Sequence, residues 1–165
     1  KKICFFLGDT ALVDKAVVLR KLSELGTYYG QIKEYADITI DNYKNDWKTQ
    51  RIVERTLQIM IETCTDIANH IVSDRGMRPP TTYADTFRVL LENNIINSEM
   101  FNTMEKMAKF RNVVVHQYEK VDAEIVIVIL KRHLKDFDRF KDVILTYMQG
   151  LSEDSSTEYN KSQES

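Results

Sequence analysis

Val53-Glu54-Arg55-Thr56-Leu57-Gln58-Ile59-Met60-Ile61-Glu62-Thr63-Cys64-Thr65-Asp66-Ile67-Ala68-Asn69-His70-Ile71 is the stretch that decides the fold. Val53, Leu57, Met60, Ile61, Cys64, Ile67, Ala68 and Ile71 step by three and four, the interval that stacks side chains on one face of an α-helix. It is the strongest amphipathic pattern in the chain. A helix with such a face must bury it against other elements, so its neighbours decide the fold class. Upstream, Asp41-Asn42 offers caps for its start. Downstream, Gly76 and the adjacent Pro79-Pro80 end it near Asp74, because proline cannot continue the backbone bonding of a helix interior.

The flanking segments also read as helices. Asp9-Thr10 can cap a long helix from Val13 to Ala36, with Val17, Val18, Lys21, Leu22 and Leu25 along one side. Gly26 and Gly30 each cost about 1 kcal/mol relative to alanine inside a helix, which predicts a bend or close backbone contact there. Thr82 caps a short helix carrying Ala84, Phe87, Leu90 and Leu91, and Asn93-Asn94 breaks it. Asn97 or Ser98 opens the next helix, whose apolar side is Met100, Phe101, Met104, Met107, Ala108 and Phe110. The last helix starts near Asp122 and runs to about Met148. Its Ile125–Leu130 run, β-branched in all but its last residue, would also suit a buried strand. The spacing of Leu130, Leu134, Phe137, Phe140 and Ile144, with no breaker before Gly150, favours helix.

These elements predict an all-α protein: one up-and-down helical bundle with short connections, spanning residues 12–148. Residues 1–11 read as an N-terminal extension. Residues 149–165 are rich in Ser, Glu, Asp and Asn, and bury too little apolar surface to offset ordering entropy, which predicts a disordered polar tail. The opening Lys1–Gly8 stretch is shorter than a secretory core and no small-residue cleavage site follows it. No segment has the length of a membrane span. The expected location is cytoplasmic, with no membrane partner.

Composition narrows the function. The 165 residues are 43% hydrophobic and 29% charged, with a formal net charge of -2, ordinary for a globular domain. Such a chain is no polycation, so any contact with nucleic acid must use a local patch. Cys4 and Cys64 form no CxxC pair, and His70, His116 and His133 are dispersed. The sequence therefore offers no metal-ligand spacing and implies no cofactor.

Chemistry concentrates in Arg111-Asn112-Val113-Val114-Val115-His116-Gln117-Tyr118. On an unbroken helix, residues five apart diverge by about 140°. The three valines are mediocre helix formers, and a break among them would let Arg111 and His116 reach one cleft. Together the two suit RNA cleavage without metal. An imidazole, ordinarily titrating near pH 6.5, can take the proton of a ribose 2′-OH that then attacks the adjacent phosphorus. A guanidinium can make paired hydrogen bonds to the phosphate oxygens and stabilise their developing charge. Tyr118 can bond the phosphate or orient the imidazole. A second reading fits the same spacing: a helix C-terminus where Arg and His meet the dipole and Tyr packs.

Arg111-Asn112 followed by Val115-His116-Gln117-Tyr118, then Asp122, closely resembles the R-N-x-x-V-H-x-Y signature of HepT-type HEPN toxins. Val17-Leu19-Arg20-Lys21-Leu22 resembles that family's first helix. Glu54-Arg55-Thr56-Leu57 with Glu62, Asp66 and His70 resembles its second, and Pro80-Tyr83-Phe87-Leu90 with Ile95-Ile96 its short middle helix. The resemblance covers about residues 12 to 148. It implies a helical homodimer whose R-x-x-x-x-H pairs line a composite RNA cleft, acting as a metal-independent endoribonuclease toxin. It also implies a minimal nucleotidyltransferase (MNT) antitoxin that neutralises the toxin by complex formation, by attaching AMP to the motif tyrosine, or both. Carried over residue by residue, Arg111 and His116 are the catalytic pair and Tyr118 is the site of AMP addition.

Around that pair, Asn112 can orient Arg111, bind RNA or serve as a turn residue. Glu62 and Asp66, four apart on one helix, can hold Arg111 or Arg55, or form a solvated face. Lys106, Lys109 and Lys120 can form the local positive patch with Arg111. His70 and His133 match no catalytic position. A reading of a different class remains open on these residues: a non-catalytic helical module that binds a nucleotide or RNA.

Overall fold

A computed structural model describes the backbone of residues 7–116 and 121–163 and the side chains of residues 15–116 and 121–151. The described backbone forms helices joined by short connections, without strands: α1 (Leu7–Lys33), α2 (Ile40–Asn45), α3 (Trp47–Asp74), α4 (Tyr83–Glu92) and α5 (Ser98–His116), then α6 (Ala123–Val128), a π-helical turn (Ile129–His133) and α7 (Leu134–Gln163) as one continuous rod. The structure is the helical bundle expected from the sequence. No helix among the described residues is long and apolar enough to cross a membrane.

The central helix is α3. Leu57, Met60, Ile61, Cys64, Ile67 and Ala68 are wholly buried, and α1, α4 and α5 all pack on it. Each large apolar side chain so enclosed contributes about 1.5–3 kcal/mol. Phe87 of α4 meets Phe140 of α7 edge-on, with ring centroids 5.9 Å apart, joining the short middle helix to the last.

Several helix starts follow their capping residues. Thr82 Oγ1 accepts from the Asp85 amide at 3.0 Å, Asn97 Oδ1 from that of Met100 at 2.9 Å, and Asp122 Oδ1 from that of Glu124 at 2.8 Å. Each satisfies an amide that the helix leaves without an internal acceptor. Asn94, at φ 56, takes the left-handed conformation that ends α4, a role asparagine tolerates.

The structure differs from the sequence reading in four places. The region expected as one helix from Asp41 is two. Thr39 caps α2, and Asp46, extended at φ -120 and ψ 95, breaks the chain and caps α3 through the amides of Lys48 and Thr49. Next, α1 opens at Leu7 and runs through Gly26 and Gly30 without interruption, and nothing lies within 4 Å of a Cβ built at either glycine. With no close contact to protect, Gly26→Ala and Gly30→Ala are each expected to stabilise the fold by about 0.5–1 kcal/mol, read as a raised urea midpoint.

The third difference is at the valines: α5 continues through Val113, Val114 and Val115 to His116. Their propensity cost of a few tenths of a kcal/mol each is outweighed by packing, with Val114 against the core. Last, the helix expected to end near Met148 continues to Gln163, since one glycine at 150 weakens a helix without stopping it. The Ile125–Leu130 run forms helix, and its burial continues across the π turn through Ile129, Leu130, Leu134 and Phe137.

Candidate active site

Arg111 leaves α5 on the side that faces α3 and α4. Its Nε and Nη2 both donate to Glu62 Oε1, at 2.9 and 2.7 Å, and its guanidinium carbon sits 4.2 Å from the centre of the Tyr83 ring. The planar cation is therefore fixed at its edge by a carboxylate and on its face by an aromatic ring, both strong contacts for a guanidinium. Glu62 is itself held by Gln58, whose Nε2 donates to the same oxygen at 3.0 Å. Partial burial raises the pKa of Glu62. Hydrogen bonds from Gln58 and Arg111 and the charges of Arg111 and Arg55 outweigh that, leaving it below its ordinary value.

That direction fixes a pH dependence. A carboxylate whose pKa is depressed by folding contributes stability above its unfolded pKa, lost as the pH falls through the folded value. Glu62→Ala is expected to cost about 1–2 kcal/mol at neutral pH, allowing for the pair's partial exposure. Urea unfolding of variant and parent at neutral pH and at pH 3 measures it, and the gap should shrink at the acid end.

Asp66 has a different partner from the one the sequence suggested. Its Oδ2 accepts from Lys21 Nζ of α1 at 3.0 Å, so of the carboxylate pair only Glu62 holds Arg111. Because α5 is unbroken, Arg111 and His116 leave it about 140° apart, at 100° per residue. The break that was to bring them into one cleft is absent. By the same measure Lys109, Asn112 and His116 lie within about 60° of one another on the opposite side. All three are exposed, Lys109 with an ion pair to Glu105 at 3.5 Å. Lys106 instead lines an apolar groove of about 360 Å³ between α5 and α6, with Met107, Phe110, Ile125 and Ile129. Tyr118 and Lys120 lie outside the described residues. His133 bonds Asp136 at 2.8 Å.

Two members of the site were absent from the sequence reading of its chemistry. Gln58 carried a usable signal, its position four before Glu62 on one helix face. Tyr83 carried none, because it reaches Arg111 only once α4 has packed on α5.

One α-helical bundle therefore presents a clamped arginine on one side of a helix and an exposed histidine, lysine and asparagine on the other. The family model described as "Ribonuclease HepT-like" matches residues 25–144. The mRNA nuclease HepT of Shewanella oneidensis is 33% identical over 138 residues, 84% of this chain and 98% of the relative. The tRNA nuclease HepT of Aphanizomenon flos-aquae is 24% identical, across 87% and 97% of the two chains. Among solved structures, the tri-AMPylated Shewanella oneidensis HEPN toxin in complex with MNT antitoxin superposes with a TM-score of 0.74 at 32% identity, covering 79% of this chain and 97% of that one. A toxin–antitoxin crystal structure with AMP-PNP gives 0.75 at 31%, over 79% and 98%. The chain belongs to the HepT-like ribonuclease family.

Proposed function

We propose that this protein is the toxin of a toxin–antitoxin pair, a metal-independent endoribonuclease of the cytoplasm whose cutting unit is the helical body, residues 12–148. The observation that carries this is the clamped Arg111 with His116 exposed on the same helix, in a chain of the HepT-like family.

The 140° divergence supports an active centre assembled between two copies, in which Arg111 of one protomer and His116 of the other flank the same phosphate. His116 removes the 2′-OH proton. The freed oxygen attacks phosphorus, forming a 2′,3′-cyclic phosphate, and the 5′-oxygen leaves with a proton. Water in the cleft supplies it, so each composite centre needs a single His116 as base. Arg111 stabilises the charge gathering on the non-bridging oxygens. Held rigidly by Glu62 and Tyr83, it needs little reorganisation as that charge develops. Asn112 and Lys109 belong to the RNA-contacting surface around His116, and Lys120, four positions further in sequence, adds its charge to RNA binding. Asp66 takes a supporting role one step removed, by fixing α1 to α3 through Lys21.

The partner is an MNT-type nucleotidyltransferase antitoxin, as in the related Shewanella oneidensis complex. Its modification target is Tyr118, two residues beyond His116. Attached AMP brings bulk and a negative phosphate to the place where RNA must bind. Protein made without an antitoxin and assayed in EDTA is expected to cleave RNA to fragments ending in 2′,3′-cyclic phosphate. RNA that stays intact, or is bound and never cut, with folded and unmodified protein contradicts the proposal.

A further inference from the structure

Beyond the Arg111–Glu62 pair, α3 continues toward its N-terminus as a basic strip ending in an exposed aromatic ring. At 100° per residue, Lys48, Arg51, Arg55 and Glu62 fall within about 60° of arc, with Trp47 about 40° beyond Arg51. At 1.5 Å per residue, Arg55 lies about 10 Å and Lys48 about 21 Å along the axis from Glu62. The strip is continuous with the site, for the Arg55 charge acts on Glu62 and Gln58 bridges the interval.

Trp47 is 68% exposed, unusual for the largest apolar side chain, and Lys48 Nζ stands 5.9 Å from its ring centre. The Arg51 side chain is 79% exposed. Two acids lie beside the strip. Asp46 caps α3 and accepts from the Thr49 hydroxyl at 2.7 Å. Glu54 is largely buried against the Tyr43 hydroxyl, with Arg51 at 3.6 Å.

We infer that Trp47, Lys48, Arg51 and Arg55 form a track for single-stranded RNA that leads to Arg111, with Trp47 as a stacking platform for an unpaired base. This rests on the ribonuclease reading above. Cations along a helix with an aromatic ring at the end match the chemistry of a single strand, a repeating phosphate charge plus a π-face on every base. The strip reads no sequence, so it serves affinity and orientation.

Trp47 is the only tryptophan in the chain, so intrinsic emission reports on it directly. The test uses full-length protein carrying His116→Ala, which keeps RNA intact, and a fluorescein-labelled single-stranded RNA of mixed sequence in EDTA. Anisotropy gives affinity and its salt dependence. Tryptophan emission, titrated with the same RNA unlabelled, reads Trp47. Saturable quenching of Trp47 is expected. Arg51→Ala with Arg55→Ala should weaken binding about tenfold and make the log–log salt slope shallower by about 1.4, at about 0.7 per phosphate contact on a single strand. Trp47→Ser should lose about tenfold, with Trp47→Phe recovering most of it.

Unchanged emission at RNA concentrations that saturate the anisotropy overturns the track. So does unaltered affinity and salt slope in the arginine variant. Emission that shifts with protein concentration alone assigns the patch to a second protein chain and overturns it also. If wild-type protein cleaves RNA while the track variants bind normally, the track alone fails. If wild-type protein neither binds nor cleaves, the ribonuclease reading fails with it.

Discussion

Arg111→Ala is expected to lower kcat/KM for RNA cleavage by about 10²–10³-fold, the range for removing a pre-positioned donor to a developing oxyanion. Most of the loss should appear in kcat, because the interaction strengthens as charge builds on phosphorus. The guanidinium is clamped by Glu62 at 2.7 and 2.9 Å and by Tyr83, so the substitution also unpairs a partly buried carboxylate. A Glu62→Ala,Arg111→Ala double variant separates the two effects. It should regain stability relative to Arg111→Ala alone and regain no activity. Arg111→Lys restores the charge without the planar fork and should stay at least tenfold below wild type. Steady-state cleavage of a fluorogenic RNA, with urea unfolding on the same preparations, measures both.

His116→Ala is expected to abolish about 10²–10⁴-fold of the rate, the usual contribution of a positioned general acid or base. Its stability should stay within about 0.5 kcal/mol of the parent, because the residue is exposed in the last turn of α5. This contrast with Arg111, which is built into the bundle, separates a chemical role from a structural one. A stability loss as large as that of Arg111→Ala would place His116 in the fold.

Much of the architecture was legible because local chemistry and tertiary packing agree. The face from Val53 to Ile71 is the buried face of α3, and Thr82, Asn97 and Asp122 cap the helices that their positions suggest. Legibility failed where one residue acts against its surroundings. Asp46 splits a continuous helical pattern because its side chain caps the second half better than its backbone continues the first. The valines after Asn112 suggest a break by propensity, yet Val114 packs and the helix holds. Gly26 and Gly30 suggested a bend, but surrounding turns carry α1 through both.

The site was legible to the same depth. Arg111, His116 and Glu62 could be named from residue type and spacing. The Arg111–Glu62 pair spans 49 positions, a distance over which spacing has no meaning, and Tyr83 depends wholly on how α4 packs. Asp66 shows the converse: its spacing from Glu62 is right, and Lys21, brought in by α1, takes it. The apparent convergence of Arg111 and His116 within one chain required a broken helix, and α5 is unbroken; the proposed centre restores the convergence between two copies.

Mixing inactive Arg111→Ala protein with inactive His116→Ala protein, under conditions where subunits exchange, tests that shared centre most directly. Each mixed pair then holds one composite site with both groups intact. Half of the pairs are mixed and each has one good site of two, so about a quarter of wild-type activity should return. Activity that stays at the level of the separate variants, with exchange verified by mass spectrometry of tagged subunits, would contradict it.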